Sequence, residues 1–139
     1  MNEERKQINY AVVCVSEFAR KHNLAIKDAF QFLFNFKAIE FLKENYDIEH
    51  TLSLDDTLDD RYTMTKQEQL IEYHIQDIIA YMVKDLQIEY DQAMQIFYNS
   101  QTLDKLTDVE TGLYLESSAY VYGIFQYERN FGFLIQAEI

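Results

Sequence analysis

The chain contains no proline and no tryptophan, only three glycines among its 139 residues, and a single cysteine. Each shortage removes a class of protein. Sheet-rich domains of this size need many tight turns, and tight turns lean on Gly and Pro for backbone angles that other residues resist. With only Gly112, Gly123 and Gly132 available, few turns and long helices are expected. The same shortage, beside an aromatic share of 15%, argues against disorder. A lone Cys14 provides neither a disulfide framework nor a thiolate metal site, and it fits a reducing, cytoplasmic compartment. No uninterrupted apolar run approaches the roughly 18 residues of a membrane span. The apolar stretch near the N-terminus is broken by Ser16 and Glu17, unlike that of a signal peptide.

Positive charge is also scarce, with 12 Lys and Arg against 24 Asp and Glu, a net charge of −12. The imbalance grows along the chain. Residues 1–64 carry 12 acids and 8 bases, whereas residues 65–139 carry 12 acids and 4 bases. Such a surface repels phosphate backbones, so direct nucleic-acid binding is disfavoured, and it attracts basic partners.

Hydrophobic residues are plentiful at 48%, including 10 Phe and 11 Tyr. At this length about two-thirds of the unfolded surface can be buried, enough for one ordinary domain or two very small ones. Ile8, Val12, Val15 and Ala19 recur at helical spacing and predict a helix over about residues 3–22, with Asn23 as a left-handed cap. A second helix is expected over 27–36. Phe30, Leu33 and Phe34 form its stripe, and Phe32 and Phe36 extend the apolar surface so far round that the helix is expected at the centre of the core. A third, short helix over 38–45 turns Ile39 and Leu42 inward. Ser53 with Asp56 has capping-box form, and Thr65 with Glu68 is a stronger one, opening a long helix over 66–86 with Ile71, Ile75, Ile78 and Met82 inward. Thr107 with Glu110 predicts a short turn closed by Gly112. Ser117 or Ser118 caps a last helix through about residue 130 that shows Tyr120, Ile124 and Tyr127 on one face, with Val121 and Phe125 beside it.

Residues 10–50 align without a gap onto residues 74–114 at an offset of 64. Identity is confined to Ala29/Ala93, Gln31/Gln95, Asn35/Asn99 and Leu42/Leu106, but conservative pairs such as Val15/Ile79, Phe30/Met94 and Ile39/Leu103 fall at matching points of the helical pattern. The expectation is an all-α protein: a compact helical bundle built from two similar helix–turn–helix–short helix units, residues 1–62 and 63–139, alone or around one shared core.

Catalytic chemistry finds little support. The pairs Asp55–Asp56 and Asp59–Asp60 lack the second acidic motif of a diphosphate site and the Gly and terminal Glu of an EF-hand loop. His22, His50 and His74 are not at zinc-ligand spacing, and His50 is read as a polar side chain fixing a turn. Cys14 beside an apolar stripe reads as a structural thiol. There is no phosphate-binding Gly-rich loop and no GxSxG or HExxH motif. No catalytic residue, metal or cofactor is expected. A helix–turn–helix with Lys27, Gln31 and Asn35 facing out is the nucleic-acid alternative, weakened by the net charge.

Residues 8–60, with Lys21–Leu24 ("KHNL"), Ala29–Phe30, Phe36–Lys37, Ile39, Phe41–Leu42, Tyr46 and Glu49–Ser53 ("EHTLS"), resemble a family of short bacterial proteins known as a domain of unknown function. Residues 70–139, with "YNS", "ETGLY" and "YVY", resemble a second group of small uncharacterised proteins. The first resemblance implies an all-helical fold, no catalytic residues, and genes often placed beside an ADP-ribosyltransferase-like toxin, hence an antitoxin-like or accessory role.

The expected function is therefore a non-enzymatic protein–protein interaction module, antitoxin-like or regulatory. It would bind a basic partner, such as an adjacent-gene toxin, through an acidic Tyr-rich surface. The candidate contact residues are Tyr114, Tyr120, Tyr122 and Tyr127 with Glu110 and Glu116. The alternatives are the helix–turn–helix regulator and a structural homodimer joined through the apolar tail "FGFLIQAEI".

Overall fold

The structure is a computed structural model, and residues 2–47 and 64–132 are described. The described residues are helical without strands, and the chain divides into two compact units, Met1–Thr65 and Lys66–Ile139.

The first unit contains α1 (Glu3–Lys21), α2 (Ile26–Asn35) and α3 (Ala38–Glu44). The Asn2 side chain caps α1 by accepting from the Arg5 amide at 2.7 Å. Glu3 and Glu4 open the helix and Arg20 and Lys21 close it, the order that the helix dipole favours. Ile8, Ala11, Val12, Val15 and Ala19 are buried, as their spacing predicts. The helix ends where Asn23 turns left-handed (φ 55). The Leu24 amide then reaches back to the Ala19 carbonyl at 2.9 Å and the Asn23 amide to the Arg20 carbonyl at 3.3 Å. This paired return saturates carbonyls that the helix end leaves open. It also folds α2 back against α1, placing Ala29 and Phe30 in the core with Ile39 of α3.

The expectation that α2 sits at the centre of the core is overturned. Phe32 is 48% and Phe36 72% exposed. Only the Phe30 side of the helix is covered, with Leu33 and Phe34 half-buried.

The second unit contains α4 (Lys66–Leu86), α5 (Tyr90–Tyr98), α6 (Gln101–Thr107), two 3₁₀ turns (Val109–Thr111 and Leu113–Leu115) and α7 (Ser118–Phe131). The α4 stripe, Ile71, Ile75, Ile78, Ile79 and Met82, is buried. At about 1.5–3 kcal/mol for each large side chain removed from water, these residues contribute substantially to the folding of this unit. Glu89 and Gln92 form a reciprocal capping box on α5. Ser100 caps α6, and the Glu128 carboxylate of α7 reinforces it, accepting from the Gln101 amide at 2.8 Å, the Thr102 amide at 2.9 Å and the Thr102 hydroxyl at 2.7 Å. Ser117 caps α7, as expected. The turn before it is capped by Asp108 rather than Thr107, whose hydroxyl instead donates back to the Leu103 carbonyl. Gly112 closes that turn at φ 71, a conformation that a Cβ would strain.

Helix α7 packs on α4 and α6 through Val121, Ile124 and Phe125, with the Phe125 ring edge-on to Phe97 at 5.2 Å. Ile124 is buried with Val121 and Phe125, whereas Tyr120 is 38% exposed and Tyr127 half-buried.

Candidate functional site

The four candidate tyrosines do not converge. Val121, Ile124 and Phe125 face the core, and this stripe divides the remaining surface of α7 into two flanks. Tyr120 and Tyr127 lie on one flank, where Tyr127 packs against exposed Phe131 at 4.6 Å. Tyr122 lies on the other and meets Tyr81 of α4 at 5.2 Å. Tyr114 belongs to the second 3₁₀ turn, where its hydroxyl accepts from the Gln67 amide at 3.4 Å. Glu110 and Glu116 are exposed on the 3₁₀ segments and their edge. The candidate surface is therefore two aromatic flanks with an acidic turn upstream.

The Tyr122 flank borders an open cleft of about 300 Å³. Leu86 and Phe125 supply apolar lining, Asp85 stands on the α4 side, and Arg129 and Asn130 come from the last turn of α7. The Tyr122 hydroxyl donates to the Asp85 carboxylate at 2.9 Å. Partial burial first, and the Asp85 carboxylate second, push the Tyr122 phenol up to about 12. Both effects oppose a phenolate, so Tyr122 is a neutral hydrogen-bond donor at ordinary pH.

A second polar cluster brings together His74, Asp77 and Ser118, whose linkage across more than 40 residues has no local sequence signal. The Nε2–H of buried His74 donates to the Tyr114 carbonyl at 2.7 Å, and its Nδ1 lies 2.7 Å from Ser118 Oγ. Ser118 in turn donates to Asp77 at 2.6 Å. These are the residue types of a hydrolytic triad in the wrong order. In a triad the histidine stands between serine and carboxylate and accepts the serine proton. Here the serine stands in the middle and its proton points to Asp77. The arrangement suits a structural clasp that fastens the start of α7 and the preceding turn to α4.

The first unit presents a feature that sequence reasoning misassigned to the core. Phe18 of α1 stacks on Phe32 at 5.5 Å, Phe32 meets Phe36 at 4.7 Å, and His22 lies 4.3 Å from Phe18. The result is an aromatic ridge along the outer side of α2. On α3, Phe41 is also exposed, at 53%. The available signal was the i, i+4 placement of Phe32 and Phe36, off the Phe30–Leu33–Phe34 stripe. The exposed side of α2 carries Asp28, Phe32 and Asn35, while Lys27 and Gln31 are half-buried. A nucleic-acid recognition helix needs the opposite arrangement.

Charge divides unevenly. Residues 2–47 carry 7 acids and 7 bases, whereas residues 64–132 carry 11 acids and 4 bases. Cys14 is half-buried in α1. Among the described residues no cluster of His, Cys, Asp and Glu could hold a metal ion, and no helix is long and apolar enough to cross a membrane. Asp55–Asp60, His50 and the tail beyond Gly132 lie outside the described residues.

Residues 9–61 match a family whose description is a protein of unknown function, DUF3791. The match covers 53 of the 139 residues and falls within the first unit. No curated protein and no solved structure matches the chain. The first unit is thus similar to a domain of unknown function, and it carries the aromatic ridge.

Proposed function

We propose that the chain is a non-enzymatic protein-binding module, antitoxin-like or regulatory, that recognises a basic partner protein. The observation that supports this most directly is the ridge of Phe18, Phe32 and Phe36 with its exposed outer rings. Contiguous exposed aromatics on a small unit favour association, because covering them removes apolar surface from water. The acidic second unit supplies the complementary element. Its excess of carboxylates, Glu110 and Glu116 among them, accelerates encounter with a basic partner before the aromatics are covered. In this reading the second unit steers and the first unit anchors. The helix bounds support a duplication: an offset of 64 carries α1, α2 and α3 onto α4, α5 and α6 to within one residue at each end.

The test is capture of a stoichiometric partner from the native host, followed by binding kinetics on the purified pair. A Phe32→Ser/Phe36→Ser chain is expected to lose the partner through faster dissociation. A Glu110→Lys/Glu116→Lys chain is expected to associate more slowly, with a weaker dependence on salt. Full-affinity binding by the phenylalanine variant would remove the ridge from the proposal.

A further inference from the structure

We propose that the cleft beside Tyr122 is a binding site for a monocarboxylate with an apolar body. The inference stands on the second unit alone and does not depend on the aromatic ridge.

Asp85 is already engaged, since it accepts the Tyr122 hydroxyl proton at 2.9 Å. Arg129 is not: among the described residues it makes no ion pair or hydrogen bond, in a unit where acids outnumber bases 11 to 4. Its neighbour Glu128 is spent on the amides of α6. The position of Arg129 in the last turn of α7 suits the helix dipole. The dipole does not explain the cleft beside it, whose lining is mixed: polar groups expose somewhat more surface than the apolar floor, which Leu86 and the Tyr122 ring provide above buried Phe125.

Chemistry narrows the ligand. A guanidinium is a planar fork that matches a carboxylate, and the Asn130 amide on the same wall offers a further donor, while the Gln126 side chain already bonds Tyr122. A cationic ligand would meet Arg129. A phosphate dianion would bring two charges to a cleft with one free cation among the described residues, against Asp85 and the acidic surface around it. A single carboxylate neutralises Arg129 once, and its apolar body covers the floor. A volume of about 300 Å³ is at the small end for ligand sites and suits one ring or one branched chain.

The experiment is a titration of the full chain with phenylacetate, phenylacetamide and inorganic phosphate, followed through the backbone amides by NMR. Phenylacetate is expected to shift the amides of residues 122–130 with a Kd on the order of 1 mM. Phenylacetamide and phosphate are each expected to bind at least about tenfold more weakly. Arg129→Gln is expected to lose phenylacetate to a similar extent, Arg129→Lys to recover part of it, and Asp85→Asn to bind more tightly by removing the opposing charge. N-acetylglycyl-phenylalanine, with a free or amidated C-terminus, distinguishes the two sources of the carboxylate. Tighter binding of the free peptide than of phenylacetate assigns the cleft to a chain end, and equal binding assigns it to a small acid. Equal affinity for acid and amide, equal affinity for phosphate, or an unchanged Kd in Arg129→Gln would each overturn the proposal.

Discussion

Two units of nearly matching helix plan differ in how their helices are finished. An offset of 64 residues carries the left-handed Asn23 onto the left-handed Gln87 as well as helix onto helix. Yet α2 begins at Ala25 with no side-chain cap, and α3 begins at Lys37, itself left-handed and uncapped. Their counterparts begin at Glu89, with a reciprocal capping box, and at Ser100, reinforced by Glu128. The second unit also has α7, for which the first has no counterpart among its described residues. Beneath α7, Phe97 is core: it and Phe125 are buried against each other, while Tyr120 and Phe131 on α7 itself stay exposed. Where it has no counterpart, Phe32 and Phe36 face solvent. The difference teaches that, among the described residues, one helical plan buries the aromatic on which a further helix packs and leaves Phe32 and Phe36 exposed where no such helix is described.

Truncating one aromatic in each unit is the bluntest way to break that comparison. Phe97→Ala is expected to cost about 3–5 kcal/mol, the range for an enclosed Phe. Phe36→Ser is expected to stay within about 0.5 kcal/mol, as surface substitutions do. Chemical denaturation of both variants, read by amide exchange in each unit, checks the pair. A large loss in Phe36→Ser would mean that the ridge is core after all.

The caps come next in size. Glu128→Ala removes a charged acceptor from two α6 amides and one hydroxyl, and about 2 kcal/mol is expected, confined to the second unit. Amide exchange at Gln101–Leu103 should rise first. If protection there is unchanged, the carboxylate contributes nothing that water does not replace.

Legibility in the sequence follows the range of the interaction. Helix stripes, the Asn23 turn, the Ser117 cap and the Gly112 closure were readable because each is decided within a few residues. The Glu128 cap on α6 and the His74–Ser118–Asp77 clasp join residues 26 to 44 positions apart, and nothing local marks them. The ridge was misread for another reason. A helix apolar around most of its girth looks the same whether a neighbour covers it or not, so Phe32 and Phe36 were assigned to a core that reaches only Ala29 and Phe30. The placement of the α7 tyrosines depends on phase: the buried stripe runs through Val121 and Phe125, and this sends Tyr120 and Tyr122 to opposite sides.

A finer test concerns the shared turn. Asn tolerates the left-handed region better than Gln, because its shorter polar side chain can bond the local backbone there. Gln87→Gly is therefore expected to stabilise the second unit by up to about 1 kcal/mol, whereas Asn23→Gly should be nearly neutral in the first. Equal effects at both turns would mean that the hydrogen bond from the Gln87 side chain to the Lys84 carbonyl, at 2.7 Å, offsets the strain.

The smallest expected effect distinguishes the units by pH. Tyr122 titrates at about 12 in the folded chain, against about 10 for an unperturbed tyrosine, because burial and Asp85 disfavour its phenolate. An acid whose pKa is raised by folding contributes stability while both states are protonated, and loses it as pH rises from the unfolded value through the folded one. The second unit should therefore weaken between pH 10 and 12, modestly, since the Tyr122 phenol is largely solvated. In Tyr122→Phe that part of the slope should vanish. Tyr46 in the first unit is also raised, by burial and then by Glu3 and Asp47, so it leaves a slope of its own that Tyr122→Phe does not touch. Denaturation midpoints across this range, read separately in each unit, make the comparison. If Tyr122→Phe leaves the slope of the second unit unchanged, the bond to Asp85 is not what holds that proton.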